Sequence, residues 1–268
     1  MLLNYIHWNI NPEIFHLGSL SVRWYGLLFA SAFAVGYVIM QKMFEKEGFS
    51  IALLDKLSTY MLIATVIGAR LGHVLFYQPE YYFAHPWEIL KIWHGGLASH
   101  GAGIGIVFAL WLFSRNTGKK FLWIMDRIGI VVALAGGFIR TGNLINSEIY
   151  GAPTDVPWAF IFENSDRYLL PRHPTQIYEA LGYLAIFIVL IVTYYKKNGK
   201  PQQGLLFSWF LILLFGLRFV VEFFKADQVA FEQGMLLNMG QLLSIPFVLA
   251  GIGLMIYSYL QQNKTDNK

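Results

Sequence analysis

The chain has 268 residues, 20 Lys and Arg against 16 Asp and Glu, and no cysteine. It is 56% hydrophobic and only 13% charged, about half the ~25% of soluble proteins, which excludes a soluble globular fold and marks an integral membrane protein. The missing cysteines exclude disulfides, thiolate metal sites and a cysteine nucleophile of its own, and the modest net charge of +4 bears on topology rather than on nucleic acid.

Residues 1–20 lack the basic start, continuous apolar core and small-residue cleavage site of a signal peptide, so no cleavable one is expected. A membrane span needs about 20 apolar residues. Seven stretches qualify: 22–40, 57–77, 96–113, 121–139, 175–195, 205–224 and 239–260. The expected fold is therefore an all-α polytopic membrane protein, one catalytic domain over the whole chain.

Basic residues orient it. Lys42, Lys46, Lys56, Arg115, Lys119, Lys120, Lys196, Lys197, Lys200, Lys264 and Lys268 share one side, and only Lys91, Arg167, Arg172 and Lys225 fall in loops of the other. The positive-inside rule then places the N-terminus outside and the C-terminus in the cytoplasm.

On the outer side, residues 78–95 carry Pro, Tyr and Trp in an order that predicts an interfacial amphipathic helix. The connection over 143–174 is longer than usual and holds Pro153, Pro157, Pro171 and Pro174. It is expected to be an external arm or lid of irregular backbone.

Arg127 lies near the cytoplasmic end of the fourth span, but Arg23, Arg70, Arg140 and Arg218 count out to the outer part of theirs. An arginine at mid-bilayer costs roughly 2.5–3.5 kcal/mol on insertion scales. Each one could snorkel or pair with a nearby acid; the four together point to an anion, and a phosphate suits guanidinium forks.

Five blocks carry the remaining polar groups. Arg23-Trp24-Tyr25-Gly26 opens the first span with a cation and a phenol, Trp24 fitting the aromatic belt. Trp93-His94-Gly95-Gly96-Leu97-Ala98-Ser99-His100-Gly101 follows. Gly101 and Gly105 form a GxxxG face that close helix packing explains. His100, counted about one turn inside the span, is either a proton acceptor or a packed, hydrogen-bonded histidine. His94 fits an interfacial position, and Ser99 cannot face His100 from the adjacent helical position.

The block from Arg140 to Gly151 reads Arg-Thr-Gly-Asn-Leu-Ile-Asn-Ser-Glu-Ile-Tyr-Gly. Arg140 and Asn143 share a face if the helix continues that far, Asn146 lies just beyond, and Glu148 could orient an arginine. His173-Pro174-Thr175-Gln176-Ile177-Tyr178-Glu179 reads as a helix start, with Thr175 and Glu179 either capping it or serving a site. Arg218 and Glu222 stand four apart, spaced for a mutual ion pair that could also poise Arg218 for a phosphate. No metal-cluster, nucleotide-loop or serine-hydrolase motif occurs, so no metal or other cofactor is expected.

These blocks, in this order and joined by Gly68-Ala69-Arg70-Leu71-Gly72 and Arg218 to Phe224, resemble the bacterial prolipoprotein diacylglyceryl transferases over nearly the whole chain. The resemblance implies seven transmembrane helices with an external arm and small head between the fourth and fifth. It implies transfer of the diacylglyceryl group of phosphatidylglycerol to the lipobox cysteine of a prolipoprotein signal peptide, giving a thioether and glycerol 1-phosphate. The site would face the outer leaflet of the bacterial cytoplasmic membrane.

Arg140 would contact phosphatidylglycerol with Asn143, Glu148, Gly151, Arg70 and Arg218, while His100 or Tyr25 would help form the thiolate. Asn146, His173, Glu179 and Glu222 would support them. Some relatives carry a tyrosine where this chain has Leu214. The rival expectations are a transporter or flippase for an anionic lipid or solute, and an acyltransferase acting through His100 or Ser99.

Overall fold

The computed structural model describes residues 5–18, 20–225 and 235–266; part of the segment tested for a signal peptide and the tail lysine Lys268 lie outside them. In chain order the elements are β1 (Ile6–Trp8), β2 (Glu13–Leu17), β3 (Leu20–Arg23), α1 (Trp24–Glu47), α2 (Ile51–Phe76), α3 (Pro79–Ala84), 3-10 turns at Pro86–Leu90 and Ile92–His94, and α4 (Ser99–Thr117). Then follow α5 (Phe121–Ile145), β4 (Phe160–Phe162), β5 (Pro171–Arg172), α6 (Thr175–Lys196), α7 (Leu205–Val221), a 3-10 turn at Glu222–Phe224 and α8 (Met239–Asp266).

Among the described residues, six helices are long and apolar enough to cross a membrane: Trp24–Glu47, Ile51–Phe76, Phe121–Ile145, Thr175–Lys196, Leu205–Phe224 and Met239–Gln262. The expected third span is α4, which has 19 residues. It opens on Ser99-His100-Gly101 and closes on Ser114-Arg115-Asn116-Thr117, so its apolar middle is short. The chain divides into two compact units, Met1–Ile39 with Asp126–Lys268, and Met40–Met125.

In the first unit, β1 pairs in parallel with β4, and β4 pairs antiparallel with β5. The long connection after α5 is thus partly β structure rather than wholly irregular, and Pro171 sits on the edge strand, where its missing N–H costs no ladder bond. Trp8 Nε1 donates to Leu144 O at 2.8 Å, satisfying one of the last carbonyls of α5. Phe162 is fully buried and stacks on Tyr150 at 5.0 Å.

β2 and β3 form an antiparallel hairpin that precedes α1. The expected span from 22 therefore starts two residues early, because the alternation of Leu20-Ser21-Val22-Arg23 belongs to a strand. α7 begins at a left-handed glycine, Gly204 (φ 85°), and is capped from α5. Asp126 accepts from Gly204 N at 2.8 Å and Phe207 N at 2.9 Å, taking orphan N–H groups that a helix start cannot pair itself.

Asp166 holds the connection together. Its carboxylate accepts from Arg172 Nε at 2.6 Å and Nη2 at 3.2 Å, and from the N–H groups of Tyr168 and Leu170. The Arg172 fork, with these N–H groups, holds the Asp166 carboxyl below its ordinary range despite burial. An acid whose folded value is depressed stabilises above its unfolded value, ~3.9, and loses that stabilisation as pH falls through the folded one. Limited proteolysis within 153–172 should accelerate below about pH 4 in the wild type, and Asp166→Asn should be cleaved at one rate across that range. An acid-sensitive Asn variant would assign the transition elsewhere.

In the second unit, α2 and α4 touch backbone to backbone. A Cβ on Gly68 would lie 2.5 Å from Gly101 O, one on Gly101 2.3 Å from Gly68 O, and one on Gly105 2.8 Å from Ala64 O. The GxxxG expectation holds, and its partner is a second small-residue face, Gly68 and Gly72, also four apart.

Candidate functional site

α5 runs past the expected end at 139 to Ile145, so Arg140 and Asn143 do share its last turns. Arg140 Nη1 donates to Asn143 Oδ1 at 3.2 Å, and Asn143 Nδ2 donates to Glu148 Oε1 at 2.8 Å. Asn146 Nδ2 reaches the same Glu148 oxygen at 3.2 Å. Gly142 brings α1 close: the Tyr25 ring lies where a Cβ would be, 2.7 Å from its Cδ2.

The backbone that carries Glu148 is strained on both sides. Ser147 (φ 53°) and Ile149 (φ 59°) are left-handed, which costs about 1–3 kcal/mol each and most for a β-branched residue. The start of α6 holds this shape: Gln176 Nε2 donates to Glu148 O at 2.8 Å and Thr175 Oγ1 to Ile149 O at 3.0 Å. Thr175 and Glu179 therefore form no capping box. Thr175 pins the strained loop, and Glu179 turns inward.

Glu179 is fully buried, and its Oε2 lies 2.8 Å from Arg140 Nε, a close ion contact rather than a well-aligned hydrogen bond. Its Oε1 accepts from Lys225 Nζ at 3.1 Å, and the same ammonium donates to Glu222 Oε2 at 3.1 Å. Glu222 is thus paired with Lys225 and not with Arg218. α7 has ended at Val221, and the 3-10 turn that follows carries Glu222 off the helical register on which the spacing argument relied.

Arg140, Glu179, Lys225 and Glu222 form a buried quartet whose formal charges cancel. Removing one member of such a set costs about 3–5 kcal/mol, because its partners stay buried without a countercharge. Arg218, on α7, makes no hydrogen bond or ion pair among the described residues; Tyr183 lies in the field of both Arg218 and Arg140.

Gly151 locks the quartet to the loop. It bridges to Lys225, its N–H donates to His173 O at 2.8 Å, and a Cβ there would lie 2.5 Å from Phe224 O and 2.8 Å from His173 O. Glycine is required by this close approach of two backbones. His173 packs on Phe224 at 5.2 Å, and its Nδ1 lies 3.1 Å from the Tyr178 hydroxyl, which accepts from Trp158 Nε1 at 2.8 Å. Partial burial pushes the His173 imidazole below its ordinary value, which favours the neutral ring.

Two of the four arginines expected on the outer side have partners of their own. Arg23 ends β3, is largely exposed and pairs with Glu13 at 3.1 Å. Arg70 is 4% exposed, and its guanidinium donates to Ile89 O at 2.8 Å, Gly95 O at 2.6 Å and Gly96 O at 3.1 Å, with Glu88 O as a further acceptor. It also lies over the Tyr82 ring. Its donors clamp the 86–96 segment onto α2.

His100 lies in the first turn of α4, not a turn inside, because the helix starts at Ser99. It is exposed, meets Phe76 edge-on at 5.2 Å and Tyr77 in a tilted contact at 5.8 Å, and makes no hydrogen bond among the described residues. Lys225 is the residue the sequence reading passed over, having been counted only as a loop charge. Its position directly after the Phe223-Phe224 pair was the available signal.

Fold and site together define a multi-pass membrane protein that holds balanced ionic pairs, and an arginine apart from them, inside an apolar helical unit. The family model described as prolipoprotein diacylglyceryl transferase matches residues 12–257. Proteins named phosphatidylglycerol–prolipoprotein diacylglyceryl transferase are similar throughout. The one from Tolumonas auensis is 53% identical over 94% of this chain and 97% of its own. Those from Chloroherpeton thalassium and Porphyromonas gingivalis are 48% and 46% identical, over 97% and 94% of this chain and 96% and 94% of theirs. The chain belongs to the prolipoprotein diacylglyceryl transferase family.

Proposed function

We propose that this protein is a transferase that moves the diacylglyceryl group of phosphatidylglycerol onto the lipobox cysteine of a prolipoprotein at the outer leaflet of the bacterial cytoplasmic membrane. Seven spans, α4 included, with the N-terminus outside and the 143–174 connection as an external arm, complete this reading. The substrate's sulfur attacks the glyceryl carbon, a C–S bond forms as the C–O bond to phosphate breaks, and glycerol 1-phosphate departs with the electron pair. The thiol proton passes to a base, for which His100 and Tyr25 are the candidates.

The observation that carries the reading is the charge pattern within one unit of a chain of this family. Four buried ions cancel one another, and Arg218 stands outside the set beside Tyr183. One phosphodiester carries one negative charge, which suits a single surplus guanidinium. Arg140, held by Glu179 and Asn143, supplies the second fork and a fixed geometry as charge develops on the leaving phosphate.

The purified protein should release glycerol phosphate from phosphatidylglycerol in the presence of a lipobox peptide, with a thioether on the peptide by mass spectrometry. Lysolipid release would mean acyl transfer, and neither product would favour transport; either overturns the proposal. His100→Gln in the same assay should slow thioether formation at least tenfold, within the range of general-base contributions. Wild-type turnover by that variant would remove His100 from the base role.

A further inference from the structure

The buried quartet draws its four members from α5, α6 and the turn after α7, and α8 reaches it through a residue that has no side chain. α8 opens on a reciprocal cap. Gln241 N donates to Asn238 Oδ1 at 2.9 Å, and Asn238 N donates to Gln241 Oε1 at 3.0 Å. Each side chain thus takes an N–H that the helix start leaves unpaired. The same two side chains face the end of α7, with Gln241 Nε2 3.5 Å from Phe219 O and Asn238 Nδ2 3.4 Å from Glu222 O. The first turn of α8 is thereby docked on the turn that carries Glu222.

Gly240 lies inside this cap and is buried. A Cβ there would stand 2.5 Å from Glu222 Cδ, 2.6 Å from Oε1 and 2.9 Å from Cγ. The carboxyl group therefore rests directly on the bare Cα. Nothing else in the backbone calls for glycine. Gly240 does not have a positive φ, and within a helix alanine is intrinsically preferred.

Glu222 has little freedom to swing aside for a methyl group. It is 5% exposed, and its other oxygen, Oε2, accepts from Lys225 Nζ at 3.1 Å. That ammonium also donates to Glu179 Oε1, and Glu179 Oε2 stands 2.8 Å from Arg140 Nε. A push on the Glu222 carboxylate is carried along this row of ions, one contact at a time, to the Arg140 guanidinium.

We propose that Gly240 is a positioning residue of the transfer: its bare Cα seats the Glu222 carboxylate, and that seat sets, through Lys225 and Glu179, where Arg140 stands. The inference rests on the diacylglyceryl-transfer reading, in which Arg140 meets the lipid phosphate. α8 then shapes the site without offering it a side chain.

Gly240→Ala tests the seat, and Gly253→Ala makes the same change in the same helix where nothing lies within 4 Å. In nanodiscs of phosphatidylglycerol with a lipobox peptide, Gly240→Ala should lower kcat about tenfold or more, in keeping with the cost of a misplaced reacting group. Gly253→Ala should turn over like wild type. Wild-type kcat in Gly240→Ala, or an equal loss in both variants, overturns the proposal.

A merely structural glycine would change the melting temperature and leave Arg140 in place. The nitrogen-15 NMR resonance of Arg140 Nε, assigned by its loss in Arg140→Lys, should move in Gly240→Ala and stay in Gly253→Ala. With Glu222→Ala there is no carboxylate to displace, so adding Gly240→Ala should not move it further. An unmoved resonance in Gly240→Ala, or a further move in the Glu222→Ala background, overturns the seat. If wild type makes no thioether, the transfer reading fails, and this arm still decides the contact. Should Gly240→Ala fail to fold, the double variant with Glu222→Ala should fold as Glu222→Ala does; its failure as well overturns the proposal.

Discussion

Arg140→Ala is expected to abolish thioether formation, by about a thousandfold or more, while the protein still inserts in the membrane. Loss of a single well-placed donor on a developing anion costs about 10²- to 10³-fold, and here the whole fork goes. The side chain also has structural partners. Its removal leaves Glu179, fully buried, with Lys225 as its remaining cation, at about 3–5 kcal/mol for a broken buried pair.

Activity and stability are therefore read together, by product release and by melting in detergent. Arg140→Lys separates them: it restores a charge near Glu179 but not the second donor that reaches Asn143, so it should recover more melting temperature than turnover. An Ala variant that turns over like wild type would remove Arg140 from the reaction.

Glu179→Gln is expected to be nearly as damaging, although it changes one atom. It leaves Arg140 and Lys225 facing Glu222 alone and raises the net charge of the quartet from zero to +1. The melting temperature should drop, and transfer should fall about 10- to 100-fold as Arg140 loses the contact that fixes its Nε edge. Because the damage is a charge surplus, Lys225→Met in the Glu179→Gln background should restore part of the stability. The double-mutant cycle should be non-additive by about 1–3 kcal/mol. Additive effects would mean that Lys225 and Glu179 do not act as one network.

These two residues also show what the sequence could and could not yield. Apolar length and the basic loops were enough for the membrane class and for most helix positions, since both depend on local composition. The Arg140–Asn143–Glu148 chain was also legible, because its members lie within eight residues of each other on one helix end and the loop after it. The Glu179–Lys225 pair joins positions 46 apart, and no local spacing encodes it.

The clamp made by Arg70 was hidden for a different reason. Its partners are backbone carbonyls, which carry no side-chain signature, so an arginine among glycines looked like an anion site. The strand that carries Arg23 was hidden by a boundary: β3 and α1 are both apolar enough to read as one span.

The glycine seam between α2 and α4 carries a mechanical consequence. An interface made of two backbones has no side chains to repack, so it cannot absorb a small slip. Sliding α4 by one residue would drive the Cβ of Ala102 or His100 into the place of Gly101, against the main chain of α2. The next permitted alignment lies a full turn away, about 5.4 Å. The height of His100 relative to α2 is thus indexed like a tooth on a rack: it is set correctly or wrong by a whole step, and thermal motion cannot blur it in between.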